Sequence, residues 1–235
     1  MRILVINPNS SADMTAAIDA ELKAVRRPDS QVDVVNPEGG PISIESAYDE
    51  SRAVPGMLKL VQRAPVQGYD AVVLACFSDP GLDAARELVD VPVVGIQEAS
   101  MYLAASIGAY FAVLTTLERR VPVRRKYAES LGLGGKMIAT PVLNIPVADT
   151  VGSLDRMKAT ALAKGREALA AGAEVLILGC AGLGDWSHQL QKELGVPVIN
   201  PNAAGLKLAE TLVDLRLSHS KIRCFQPPRV VLPLD

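Results

Sequence analysis

The sequence predicts an α/β fold of two similar halves, each built around a mainly parallel β-sheet, with a ligand cleft where the halves face each other. Three observations carry this reading. Short apolar runs alternate with stretches of helical periodicity along the chain. Two cysteines end equivalent apolar runs: Asp70-Ala-Val-Val-Leu-Ala-Cys76 leads into Phe-Ser-Asp-Pro-Gly81, and Glu174-Val-Leu-Ile-Leu-Gly-Cys180 leads into Ala-Gly-Leu-Gly184. The offsets also agree. The cysteines are 104 residues apart, the ends of the first run of each half (Asn7 and Thr115) are 108 apart, and the proline of the next Val-Pro-Val follows its thiol by 16 and 17 residues. Near-equal offsets are what an internal duplication leaves behind.

Ile3 to Ile6 is a strand ending in the turn Asn7-Pro-Asn-Ser10. Met14, Ile18, Leu22 and Val25 then mark one face of a helix, with Ser10 or Ser11 as its N-cap. Val32 to Val35 is a second strand, and Ser46 to Gln62 a helix that Pro55 is expected to bend or break. Ala71 to Ala75, wholly apolar, suits a strand buried on both faces. Asp83 to Val89 is a short helix, Val93 to Ile96 a strand, and Ser100 to Ile107 the start of a helix leading into the second half.

There the pattern restarts. Tyr110 to Leu114 repeats the N-terminal strand, and Thr115-Thr116 replaces the Asn7 to Ser10 turn. Arg119 to Leu131 is a helix, Lys136 to Thr140 a strand, Pro141 to Thr150 a loop, and Leu154 to Ala171 a long helix. Val175 to Leu178 is a strand, Trp186 to Leu194 a helix, Val198-Ile199 a short strand, and Ala203 to Leu217 the last helix. Residues 1–98 with 202–217 are expected to form one domain and residues 99–201 the other. The polar and Pro-rich tail, 218–235 with Pro227, Pro228 and Pro233, is expected to be loosely held.

The composition excludes several classes of function. A net charge of −2 in 235 residues gives no single-sign field to recruit nucleic acid or an anionic membrane, and 4% aromatics leave no base-stacking platform. No apolar run is long enough to span a membrane, and Met1 to Asn7 reads as a strand rather than a signal peptide, so a cytoplasmic location is the default. Three cysteines in that setting are expected to be reduced thiols. His188 and His219 stand in no ligand-like spacing with a cysteine, so no metal site is expected; no Walker run or G-x-G-x-x-G follows a strand, and nothing calls for a cofactor.

In parallel sheets, ligands bind beyond the carboxyl ends of the strands. Cys76 and Cys180 both fall there, each before a turn and a helix start, where amides and the helix dipole favour a thiolate. Two thiols on opposite sides of one cleft can take a proton from one face of a carbon and deliver one to the other, which is the chemistry of a cofactor-free racemase. Donors for the developing enolate oxygen are sought in the amides of Phe77, Ser78, Ala181 and Gly182 and in Thr115 and Thr116. Asn9 or Ser10 would bind a polar substrate, and Ser43 and Ile44 form a pocket wall. Asp79 is expected to cap the helix starting near Pro80, the alternative being that it orients a substrate. The group Arg119, Arg120, Arg124, Arg125, Lys126 reads as a solvated helix face, and Cys224 as incidental.

The paired cysteines, the Asn7-Pro-Asn-Ser start, Ala75-Cys-Phe-Ser-Asp-Pro-Gly81, Leu114-Thr-Thr116 and Leu178-Gly-Cys-Ala-Gly182 together resemble the aspartate/glutamate racemase superfamily, and within it the hydantoin and allantoin racemases. The likeness runs from residue 1 to about 215. It implies two Rossmann-like domains related by a pseudo-twofold axis, a homo-oligomer (tetramer or hexamer), and a cyclic ureide as the small-molecule partner. It also implies Cys76 and Cys180 as the acid–base pair, with Asn9, Ser78, Thr115, Thr116 and Gly182 near the substrate. Inversion at C5 of a 5-substituted hydantoin is the leading expectation. Allantoin racemisation by the same mechanism, a maleate-type cis–trans isomerase, and a non-enzymatic two-lobed binding protein (a class usually exported with a leader) are the alternatives. Arylmalonate decarboxylases share the fold but keep one thiol, so the presence of both argues against that activity.

Overall fold

The computed structural model describes residues 1–150 and 154–231, with backbone alone for 154–157. Pro233 of the tail and the stretch just before the long helix of the second half fall outside these residues. Two four-stranded parallel sheets repeat one strand order. In the first half β1 (Arg2–Ile6), β2 (Gln31–Val35), β3 (Ala71–Leu74) and β4 (Val93–Gly95) run in the order β2-β1-β3-β4. In the second, β5 (Phe111–Leu114), β6 (Met137–Ala139), β7 (Val175–Leu178) and β8 (Val198–Ile199) run β6-β5-β7-β8. The fold is thus α/β with two Rossmann-like sheets, as the sequence predicts.

Strand side chains alternate between faces, and that alternation sorts the core. Ile3, Val5 and Val73 of the first sheet share one cluster with Phe111, Val113, Val175 and Ile177 of the second. The helices α1 (Ala12–Val25), α4 (Ile96–Ile107), α5 (Val121–Ser130) and α8 (Pro201–Asp214) supply the rest of it. Leu4, Ile6, Val72 and Leu74 face outward onto α2 (Ala47–Arg63) and α3 (Leu82–Leu88). Ala112, Leu114, Leu176 and Leu178 do the same toward α6 (Leu154–Ala170) and α7 (Ser187–Leu194). Strands buried on both faces explain why these runs are apolar throughout. One central layer of helices lies between the two sheets.

Several expectations need correction. Pro55 does not break α2, which runs unbroken with Ala53, Met57 and Val61 buried. The carbonyl its missing N–H would have engaged belongs to Ser51, an exposed residue, where solvent can reach it. Ile96 begins α4 rather than ending β4, because Asp79 caps that helix from outside: Gln97 and Glu98 donate their N–H groups to its carboxylate at 3.0 and 2.8 Å. Asp79 therefore caps α4 and not the helix after Pro80, whose N-cap is Gly81. The tail is held at its start, over Ser218 to Lys221, while residues 226–231 are exposed. It lies along β4, an edge strand: Val93 N–H donates to His219 Nε2 at 2.9 Å, Ser218 bonds the Asp90 carbonyl, and Lys221 bonds the carbonyls of Arg86 and Val89 at the end of α3. Edge-strand groups that lack a neighbouring strand are taken up by the tail.

Candidate active site

In the order β2-β1-β3-β4, the chain turns opposite ways from β1 and from β3, which opens a crevice at their carboxyl ends. Asn7 and Asn9 follow β1, and Cys76, Phe77 and Ser78 follow β3. The second sheet repeats the crevice with Thr116 after β5 and Gly179, Cys180 and Ala181 after β7. The two crevices face each other and form one cavity with about 470 Å³ of empty space, part of it open to solvent. Both thiols line it.

Cys76 is half-buried, and its Sγ lies 3.4 Å from Ser78 Oγ. Burial pushes this thiol up to about 11; the Ser78 hydroxyl and the Arg124 charge pull it down, and Cys180 pushes it further up. Cys180 is buried, and burial raises it too. The Gly182 N–H, the Arg124 charge and the Thr150 hydroxyl oppose that shift. Space is tight at Gly182: a β-carbon would collide with Thr150 Oγ1 and lie 3.0 Å from the Met14 side chain, so both would have to shift. The two sulfurs thus line one pocket, where charge on Cys180 disfavours a thiolate at Cys76.

Asn9 lines the pocket, its Oδ1 accepting from Asn7 Nδ2 at 2.8 Å and from the Ser11 N–H at 2.9 Å. Ser11, rather than Ser10, caps α1. Phe77, Ser78, Thr116 and Ala181 line the pocket with it. Gly182 sits behind Cys180 and acts on its sulfur. Ser43 and Thr115 are not in the wall. Ile44 stands there in place of Ser43, and the buried Thr115 hydroxyl has no partner among the described residues. The Ser78 amide is spent on the Cys76 carbonyl at 2.8 Å, which leaves Phe77 and Ala181 as the amide candidates for an oxyanion.

The largest correction concerns the arginines. Arg119, Arg125 and Lys126 are exposed as expected, but Arg120 and Arg124 are 5% and 4% exposed and line the pocket, so the patch is only in part a solvated face. Arg120 Nη2 donates to Glu50 Oε1 at 2.5 Å, joining the halves at the cavity. Arg124 lies with its guanidinium 4.9 Å from the Phe77 ring centroid and donates from Nη1 to Gln97 Oε1 at 2.6 Å. Burial, with Arg120 beside it, lowers Arg124 to about 10, so it stays charged near neutrality. The i, i+4 spacing of 120 and 124 on one helix face was the available sign, but the sequence could not say which way that face points. Met14 and Val147 also line the pocket unforeseen. The Val147 N–H donates to Glu45 Oε1 at 2.7 Å, a second tie between the halves. Among the described residues, no three His, Cys, Asp or Glu side chains gather to hold a metal ion, and no helix is long and apolar enough to cross a membrane.

A sequence profile of the family described as Asp/Glu/Hydantoin racemase matches residues 3–209. The chain belongs to this family. It is an isomerase of the hydantoin racemase type. A hydantoin racemase of Pseudomonas sp. (strain NS671) is 40% identical over 229 residues, covering 97% of this chain and 92% of that protein. Another from Rhizobium meliloti is 38% identical, covering 98% and 96%. Among solved structures, an allantoin racemase from Klebsiella pneumoniae superposes with a TM-score of 0.95 at 37% identity, over 98% of this chain and 95% of that one.

Proposed function

We propose that this protein inverts C5 of 5-substituted hydantoins by proton transfer between Cys76 and Cys180, without a cofactor. The observation that carries the reading is the placement of one thiol from each half in the wall of a single pocket. In one direction Cys76 as thiolate removes the C5 proton and Cys180 as thiol protonates the opposite face; the reverse reaction exchanges the roles. The neighbouring ring carbonyl takes the charge as an enolate, which makes the C5 proton more acidic and lowers the basicity demanded of the thiolate. Met14, Ile44, Val147 and Phe77 give the pocket apolar wall for an alkyl or benzyl substituent. Asn9 and Thr116 offer polar groups to the ring. Allantoin, whose substituent is a polar ureido group, is the second reading, favoured by the close match to an allantoin racemase structure.

The test is polarimetry on benzyl- and isopropyl-hydantoin, allantoin, aspartate and glutamate, then Cys76→Ser and Cys180→Ser in deuterated water. Each variant should lose racemisation, and each should retain at most exchange of one enantiomer's C5 proton. Full racemisation by either variant overturns the two-thiol mechanism. Turnover of allantoin alone selects the second reading. A covalent adduct with maleate would point instead to cis–trans isomerisation.

A further inference from the structure

We propose that Arg124 is the cation that balances the negative charge as it passes from one sulfur to the enolate oxygen and on to the other sulfur. The inference deepens the two-thiol reading and rests on it. Three geometric facts support it. Arg124 comes from α5 of the second half yet reaches the turn after Cys76 in the first, where its guanidinium covers the Phe77 ring. It lines the cavity together with both thiols. Its bonding among the described residues is incomplete: Nη1 donates to the neutral Gln97 amide oxygen, and the buried Nε has no hydrogen-bond partner there.

Neighbouring charged groups are otherwise engaged. Arg120 is paired with Glu50. The Asp79 carboxylate attracts Arg124, but its oxygens take the Gln97 and Glu98 N–H groups and the Tyr127 hydroxyl. Glu45 and Glu50 push the thiols toward the protonated form, and Glu45 is bonded to the Val147 N–H. Arg124 is the group that draws both sulfurs toward the thiolate.

The bookkeeping of charge explains the need for it. The reactive form of the pair holds one thiolate and one thiol, a charge of minus one. Proton removal makes an S–H bond, breaks C5–H, and leaves the electron pair on the enolate. The second thiol then gives its proton to C5 and keeps the pair as a thiolate. The charge stays minus one throughout, in a buried site where an unmatched charge is costly. A fixed guanidinium, which has no nearby carboxylate bonded to it among the described residues, matches that charge at each stage.

The test reads the thiols directly. In a Cys224→Ser background, alkylation of Cys76 and Cys180 by iodoacetamide is followed by peptide mass spectrometry as a function of pH, beside steady-state racemisation. Arg124→Gln should move both alkylation midpoints up by about one pH unit or more. It should lower kcat by roughly 10²- to 10³-fold, as loss of one oxyanion donor does. Arg124→Lys should hold the midpoints near wild type and recover part of kcat. Gln97→Glu, which neutralises Arg124 in place, should shift the midpoints the same way as Arg124→Gln and stands in for it if that variant fails to fold. Unmoved midpoints in the neutralised variants overturn the proposal. If the midpoints move but wild type racemises no ureide, the charge role stands and the substrate reading falls; if wild type racemises and the midpoints stay, the charge role alone falls.

Discussion

Replacing Glu21 by Gln should flatten the dependence of stability on pH between about 5 and 8. Glu21 extends from α1 toward the turn after Cys180, where it accepts from Asn200 Nδ2 at 2.5 Å and from Asn202 Nδ2. Burial raises its carboxyl from 4.5 to about 7, against the pull of the two asparagine amides. A folded-state value above the unfolded one means the folded protein holds the proton longer. The stabilisation is therefore complete below about 4.5 and is lost as pH rises through about 7. A separation of about 2.5 units at 1.36 kcal/mol each sets an upper figure of about 3 kcal/mol. Gln mimics the protonated acid, and its amide offers a donor to Asn202 Oδ1, which is buried without a partner among the described residues. The variant should match wild type at pH 4.5 and exceed it by up to about 3 kcal/mol at pH 8. Urea unfolding at several pH values reads this through the fluorescence of Trp186, the single tryptophan and a buried one. Asp79, raised by burial to about 6, adds a slope of the same sign in both proteins and cancels in the difference. Parallel stability curves for the two proteins from pH 5 to 8 would refute the reasoning.

Asp79→Ala removes the cap of α4 and leaves the Tyr127 hydroxyl unpaired, so it should cost about 2–4 kcal/mol in urea unfolding; a loss below about 1 would mean that water replaces the carboxylate. Gly182→Ala pushes a methyl into Thr150 and Met14 and should lower kcat at least tenfold while far-ultraviolet circular dichroism stays unchanged, because the strain falls on the turn behind Cys180. Since burial raises both thiols, log kcat/KM should climb from pH 7 to 9 with a slope near one, as the thiolate fraction grows; a plateau below pH 7, after subtraction of buffer-catalysed racemisation, would contradict this.

Most of the fold can be read in the sequence because strand and helix periodicities are local. Both sheets follow from apolar runs buried on two faces, and the duplicated Cys76 and Cys180 segments locate the site at strand ends. Where the reading went astray, the deciding contact was distant along the chain. The start of α4 depends on Asp79, 18 residues before Gln97, and the tail is held by β4, about 126 residues before His219. The sidedness of Arg120 and Arg124 shows the limit most plainly. A basic residue on a helix reads the same in sequence whether it meets water or the cleft, and only the packing of α5 turned Arg120 and Arg124 inward while Arg119, Arg125 and Lys126 stayed in solvent. Sequence by itself determined the two thiols and their strand-end setting, since residue type and local pattern suffice for that. Tertiary structure decided that they share one cavity and which charges surround them, because electrostatics depends on distance through space and on burial, and neither is encoded in spacing along the chain.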